Sequence, residues 1–320
     1  RAAMAGVSGI ARTAMFVASG RSPFNRFTRQ GAFRMADPAL RTALRDKDFI
    51  LAPGVFDLIS ALIADRIGFK ALYVTGYGTV ASYLGLPDAG LATYRDMVER
   101  IGQIVKMTKT PVIADADTGY GGPLNVRHTV RGYEDAGVTA IQIEDQEFPK
   151  KCGHTPNRRV VPLDDMLRKI EVAVNSRRSD DFLIIARTDS RTALGIEEAI
   201  RRGKAFADAG ADVVFVESPE SAAELEMVAS QVDAPLFANM VPGGRTPILP
   251  AERLKTMGYA IAIHPALGFL SAGAALDKAY RDLASNGITT GAVDLYSFDE
   301  FNRLVGFEDI WAFEEKFGQN

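Results

Sequence analysis

Eight short apolar runs, each followed by a longer amphipathic stretch, constrain the fold of this chain more than any other feature. The runs are FILAPG (49–54), ALYVTG (71–76), PVIADAD (111–117), TAIQIED (139–145), FLIIAR (182–187), DVVFVES (212–218), PLFANM (235–240) and AIAIHP (260–265). They do not alternate apolar with polar residues. Continuous apolar runs suit strands covered on both faces, as in a parallel sheet. Segments between them, such as RDMVERIGQIVKM and DDMLRKIEVAVNSR, carry helical spacing. In IEEAIRRGKAFADAG, Ile196, Ala199, Ile200, Ala205 and Phe206 share roughly one face, and Gly210 stands where a helix C-cap belongs. The order helix stop, strand, terminal carboxylate recurs in AGVTAIQIE (136–144) and AGADVVFVE (209–217). Eight such units predict an α/β fold, a closed (β/α)8 TIM barrel, rather than an open doubly wound sheet. No GxGxxG follows the first run, so the usual mark of a dinucleotide-binding fold is missing.

The catalytic barrel is expected over residues 37–285, with a basic extension (1–36) before it and a helical arm (286–320) after it. The first 34 residues carry six arginines and no acid. That composition suits an organelle transit peptide, an over-extended start ahead of Met35, or an arm that packs on a neighbouring subunit. The first reading places the chain in the mitochondrial matrix and the others in the cytoplasm. One cysteine, Cys152, allows no internal disulfide, as expected in a reducing compartment. With 37 basic and 40 acidic residues the net charge is −3, which offers no electrostatic case for nucleic acid. No stretch of about 18 apolar residues is present to span a membrane. In the arm, Ser297 and Glu300 have capping-box spacing. Phe298, Phe301, Phe307, Trp311, Phe313 and Phe317 need an apolar surface to bury against. Acids line the polar side, which favours a subunit interface over a membrane.

In a barrel of this kind the C-terminal strand ends face the active site. Those ends carry Tyr73, Thr75 and Gly76, then Asp115 and Asp117, Glu144 and Asp145, Arg187 and Asp189, Glu217, Asn239 and His264. Carboxylates crowded on one rim repel and raise one another's pKa. Either a divalent cation relieves them, with hard oxygen ligands favouring Mg²⁺ or Mn²⁺ over zinc, or they pair with Arg187, Lys150 and Lys151. The three histidines, His128, His154 and His264, form no HxxxH pair for zinc. DADTGYGG (115–122) adds a glycine-rich loop, either a mobile or anion-binding element or an ordinary connection.

KKCGH (150–154) sets Cys152 eight residues past Glu144, on the active rim. Lys150, Lys151 and His154 flank it, and positive neighbours lower a thiol's pKa. Cys152 is therefore expected to act as a nucleophile, with His154 as its base, or as a general acid. A purely structural thiol is the plainer alternative.

DADTGYG, IEDQ, KKCGH and ARTD, in this order, resemble the isocitrate lyase and phosphoenolpyruvate mutase superfamily, from about Phe49 to Ser285. KKCGHTPNRRVV is similar to the 2-methylisocitrate lyase branch, and NMVPGGRTP (239–247) to the petal death protein and 2,3-dimethylmalate lyase branch. The resemblance implies a barrel with a last helix swapped between subunits, and a homotetramer built as a dimer of dimers. It implies Asp117 as the direct Mg²⁺ ligand, with Asp115, Asp88 and Glu144 holding the cation's waters. It implies that Thr75, Gly76 and Tyr77 bind a substrate carboxylate, with Gly153, His154 and Arg187 completing the clamp and Glu217 and Asn239 lining the pocket. Cys152 would be the general acid, and Tyr73 would serve near the substrate hydroxyl.

The implied reaction is Mg²⁺-dependent carbon–carbon cleavage of a 2-hydroxy di- or tricarboxylate to a 2-keto acid such as pyruvate plus a carboxylate. Oxaloacetate hydrolysis or decarboxylation, a carboxyphosphonoenolpyruvate or phosphoenolpyruvate type phosphonomutase, and a non-catalytic binding role are the alternatives. One departure bears on substrate. In HPALGFL, Leu270 stands where the 2-methylisocitrate lyase branch carries an arginine for an extra carboxylate. An anion without a partner is costly to bury, so either Arg245 substitutes or the substrate is a smaller dicarboxylate.

Overall fold

The structure, a computed structural model, describes residues 36–155 and 157–318. The expected basic extension lies outside the described residues, apart from Ala36. All eight expected strands form: β1 (Ile50–Val55), β2 (Leu72–Val74), β3 (Val112–Asp115), β4 (Ala140–Glu144), β5 (Leu183–Thr188), β6 (Val213–Val216), β7 (Leu236–Asn239) and β8 (Tyr259–His264). They close in sequence order into an all-parallel barrel, with Ile50 of β1 registered against Ile261 of β8. Strands β2 to β7 are buried along their whole length, which is why their runs do not alternate.

A short helix, α1 (Ala39–Arg45), precedes the barrel. The crossover helices are α2 (Leu58–Ile67), α3 (Gly76–Leu84), α4 (Tyr94–Met107), α5 (Pro123–Asp135), α6 (Leu163–Ser176), α7 (Arg191–Leu194), α8 (Ile196–Asp208), α9 (Ala222–Gln231), α10 (Ala251–Met257) and α11 (Leu267–Asn286). In α8 the expected face buries Ala199, Ile200 and Phe206, and Gly210 takes the left-handed turn just past the helix (φ 93°).

Two apolar layers result. One lies between strands and helices. The other fills the barrel with Ile50, Ile113, Ile185, Phe215, Phe237 and Ile261. Leu40 of α1 joins this inner layer, and Arg41 bonds Asp212 at 2.8 Å, so α1 closes the end of the barrel away from the site. With that end packed, polar chemistry is left to the C-terminal strand ends.

The arm forms both expected helices, α12 (Phe298–Val305) and α13 (Phe307–Phe317). The Ser297 hydroxyl accepts from the Glu300 N–H at 3.5 Å, the one half of the expected capping box that the structure shows. Leu304 is the one buried residue in α11 to α13, and Phe298 is 80% exposed. Among the described residues no helix is long and apolar enough to cross a membrane.

Candidate active site

A cavity of about 60 Å³ opens at the C-terminal ends of the strands. Of the expected site residues, Tyr73, Thr75, Tyr77, Asp88, Asp115, Glu144, Cys152, Gly153, His154, Arg187, Glu217 and Asn239 line it. Asp117 and Gly76 line an adjoining recess, together with Asp88, Asp115 and Lys150. His264, Leu270 and Arg245 line neither. Leu270 is 48% exposed, and the Arg245 guanidinium turns to Glu220 at 3.4 Å, so neither residue supplies a cation to the cavity.

The carboxylates are placed by backbone geometry. Asp117 sits in the left-handed region (φ 54°), a conformation that a non-glycine residue holds only where its surroundings fix it. Its N–H bonds Asp115 Oδ1 at 2.9 Å, and its own Oδ1 accepts the Thr118 N–H at 2.7 Å. Behind the loop, Lys169 Nζ donates to the Thr118 carbonyl at 2.9 Å. Gly76 opens α3 against Asp115, and a Cβ there would collide with the Asp115 carboxylate.

Two cations face these acids. Lys150 Nζ lies 2.6 Å from Asp88 and 3.6 Å from Asp117. Arg187 makes a two-pronged bond to Asp189, 2.9 Å on each prong, and reaches Glu144 at 3.3 Å and Glu217 at 3.5 Å. Pairing with Lys150 and Arg187 is thus the arrangement the structure contains. Lys151 does not take part: its side chain is exposed, and its backbone is held by Gln146. Burial raises the pKa of Asp117, against the pull of Lys150, and raises that of Glu144 well above the usual range. Glu217 behaves differently. Burial pushes it up, but Arg187, His154 and a 3.0 Å bond from Asn239 outweigh that and hold it at about 2.

Cys152 corrects the expectation of a low pKa. Burial is the largest influence and pushes the thiol up, with the His154 N–H opposing it. The lysines expected to lower it are occupied elsewhere, Lys150 with Asp88 and Lys151 in solvent. The His154 ring is not its base. Nε2 lies 3.4 Å from Asn239 Nδ2 and 3.7 Å from Glu217, Nδ1 faces the Arg245 N–H at 3.4 Å, and burial lowers the ring's pKa. A buried thiol that keeps its proton at neutral pH suits a proton donor and not a thiolate nucleophile.

Three details complete the cavity. The Tyr73 hydroxyl donates to Gln142 Oε1 at 2.9 Å and has its pKa raised well above the usual value by burial, so it offers the cavity an oxygen lone pair rather than a phenolate. Among the described residues Asn239 Oδ1 has no hydrogen-bond partner, and it is a buried acceptor placed for a ligand hydroxyl. Gly153 lies so close to Arg187 and Glu217 that a side chain there would strike the guanidinium. Gln142, Gln146 and Lys169 were not anticipated. Periodicity marks Gln142 and Lys169 only as members of a strand and a helix.

The fit to a cation follows from the donor set. Among the described residues no three His, Cys, Asp or Glu side chains stand together at ligand spacing. Lys150 instead draws Asp88 and Asp117 toward itself. Yet Asp88, Asp115, Asp117 and Glu144 offer hard carboxylate oxygens, and Arg187, the other nearby cation, is already shared by Asp189, Glu144 and Glu217. That excess of buried anionic oxygen suits Mg²⁺.

The chain is similar to several known proteins. The family model described as phosphoenolpyruvate phosphomutase matches residues 40–284. The chain is 46% identical over 279 residues to 2,3-dimethylmalate lyase of Eubacterium barkeri, covering 87% of this chain and 96% of that one. It is 41% identical over 271 residues to 2-methylisocitrate lyase of Aeropyrum pernix, covering 84% and 87%. A solved structure of oxaloacetate acetylhydrolase with 3,3-difluorooxalacetate superposes with a TM-score of 0.83 at 36% identity, covering 88% of this chain and 97% of that one. Phosphonopyruvate hydrolase with oxalate and Mg²⁺ superposes with a TM-score of 0.80 at 30% identity, covering 89% and 100%.

Proposed function

Because this chain belongs to the phosphoenolpyruvate mutase/isocitrate lyase superfamily, we propose that it is a Mg²⁺-dependent carbon–carbon lyase acting on a substituted 2-hydroxy dicarboxylate. The observation that carries this is Cys152, whose thiol lines the same cavity as Asp88, Asp115, Glu144 and Glu217 and whose pKa burial pushes up. A carbanion formed by bond cleavage needs such a donor.

Asp117 would hold the cation directly, with Asp115, Asp88 and Glu144 holding its waters, and Mn²⁺ has the same ligand preferences. When bound, the cation supplies Lewis-acid polarisation of the substrate's carboxylate and hydroxyl oxygens. The first residues of α3, with Thr75 before them, offer N–H groups and a hydroxyl to a carboxylate. Arg187, fixed by three acids, adds a rigid charged fork beside Gly153. Asn239 Oδ1 and the Tyr73 oxygen receive the substrate hydroxyl. The hydroxyl proton passes to a carboxylate facing the cavity, the freed O–H pair forms the new C=O, and the adjacent C–C bond breaks with its pair left on the other half, so that a 2-keto acid such as pyruvate leaves. The Cys152 S–H gives its proton to the carbanion of the other half, which leaves as a carboxylate. Glu217, whose pKa Arg187 and Asn239 hold low, orients both of them.

A dicarboxylate is favoured over a tricarboxylate because neither Leu270 nor Arg245 brings a further cation to the cavity. Oxaloacetate hydrolysis is the second reading, supported by the likeness to oxaloacetate acetylhydrolase. The exposed aromatic residues of α11 to α13 support a homotetramer in which this arm is exchanged between subunits. The test is pyruvate release, coupled to lactate dehydrogenase, from 2,3-dimethylmalate, other 2-alkylmalates and 2-methylisocitrate. Turnover must stop with EDTA, return with Mg²⁺ and be lost in Cys152→Ala. No release from any of these substrates refutes the lyase reading and turns the test to oxaloacetate.

A further inference from the structure

Gln146 follows the β4 carboxylates and has no part in the reaction as written above. It is 2% exposed. Its Nε2 donates to Glu144 Oε1 at 2.9 Å and to the Lys151 carbonyl at 2.8 Å, and its Oε1 accepts the Lys151 N–H at 3.0 Å. Both kinds of amide atom are engaged, so the partners fix which way the carboxamide points. The grip on Lys151 copies the exchange of N–H and C=O bonds between paired strand residues. The next residue in the chain is Cys152.

The loop has other ties. At its stem, the Glu147 N–H bonds the Arg159 carbonyl at 2.9 Å, and the Val161 N–H bonds the Asp145 carbonyl at 2.8 Å. On its far side Lys150 pairs with Asp88, the Cys152 N–H bonds the Asp88 carbonyl at 3.2 Å, and the Ser218 hydroxyl donates to the Gly153 carbonyl at 3.1 Å. These ties hold the loop to the barrel, but none of them bonds Glu144. Gln146 bonds both.

We propose that Gln146 is a positioning residue, a latch that sets the Glu144 carboxylate and the Cys152 thiol relative to one another through a single side chain. The use of those two groups rests on the lyase reading; the latch itself does not. A proton donor displaced by about 1 Å costs rate even when its chemistry is intact. The latch also accounts for glutamine at this position. Glutamate has the same size but no N–H donors, and it would set acceptor oxygens against those of Glu144 and the Lys151 carbonyl. Methionine fills the space and makes none of the three bonds.

The test alkylates Cys152 with iodoacetamide, which needs neither substrate nor metal. Gln146→Met, Gln146→Glu and a remote core control, Ile200→Val, are compared with the parent for alkylation rate, Tm, kcat and KM. Alkylation is expected to rise about tenfold in Gln146→Met and further in Gln146→Glu, as lost hydrogen bonds shift the loop toward opening. With the best substrate, kcat falls by a similar factor while KM moves less than about threefold. Ile200→Val lowers Tm and leaves alkylation unchanged. Unchanged alkylation in both Gln146 variants overturns the latch, and faster alkylation with unchanged kcat overturns its positioning role. If both variants fail to fold, Lys151→Pro, which removes the N–H that Oε1 accepts, is read in the same way. A parent protein without lyase turnover defeats the lyase reading alone, because alkylation still decides the latch.

Discussion

Replacing Gly153 by alanine tests whether Arg187 is a fixed fork. Gly153 is not among the left-handed glycines, so alanine meets no backbone penalty there. Its Cβ, however, would overlap Arg187 Nη2 and lie 3.0 Å from the Glu217 carboxyl carbon. A flexible side chain would swing aside. Arg187 cannot do so freely, because two 2.9 Å bonds to Asp189, a 3.3 Å contact with Glu144 and a 3.5 Å contact with Glu217 hold it. Either the guanidinium leaves its partners or the loop lifts and carries Cys152 with it. Forcing one extra methyl into a packed site costs about 1–3 kcal/mol, so kcat/KM should fall about 5-fold to 150-fold. The assay is steady-state kinetics on the best substrate, with Tm followed in parallel. Near-parental kcat/KM, within about twofold, would show that Arg187 or the loop yields without consequence and would refute the fixed-fork argument.

Because burial dominates at Cys152, its alkylation rate should climb with pH to a midpoint above the ordinary thiol value; a midpoint below about 8.5 would contradict that. Glu217 is held at about 2 when folded against 4.5 ordinarily, so it stabilises the fold by about 3 kcal/mol above pH 4.5, and this is lost as pH falls toward 2. Glu217→Gln should lower Tm at neutral pH and flatten its decline below pH 4.5, and parallel Tm–pH curves for variant and parent would be the contrary result. Lys150→Met leaves Asp88 and Asp117 unpaired, which costs about 3–5 kcal/mol when a buried pair is broken. Mg²⁺ should then raise Tm more in Lys150→Met than in the parent, and an equal or smaller rise counts against a cation between those acids.

The barrel was legible because burial on both faces leaves its imprint on most of the strands, β2 to β7. FLIIAR and DVVFVE show no alternation, and the strands they become, β5 and β6, are buried along their whole length. The rim residues were legible for a related reason: topology sends every strand end to one face, so Asp115, Glu144, Arg187, Glu217 and Asn239 had to meet there. What the order of residues does not encode is which charge pairs with which. Lys150 and Lys151 are neighbours in the chain, yet one is buried between Asp88 and Asp117 and the other faces solvent. Reading both as partners of Cys152 gave the wrong sign for its pKa, because that sign depends on burial and on where each lysine points. His154 shows the same thing, two residues from the thiol in sequence and engaged with Asn239 and Glu217 in space. A run of charged residues therefore states which charges are available to a loop, and only the folded loop decides which of them a buried group feels. In KKCGH that decision turns a lysine-flanked cysteine, the usual setting of a reactive thiolate, into a shielded acid. It also fits the proposed reaction, in which the carbanion needs a proton and a thiolate has none to give.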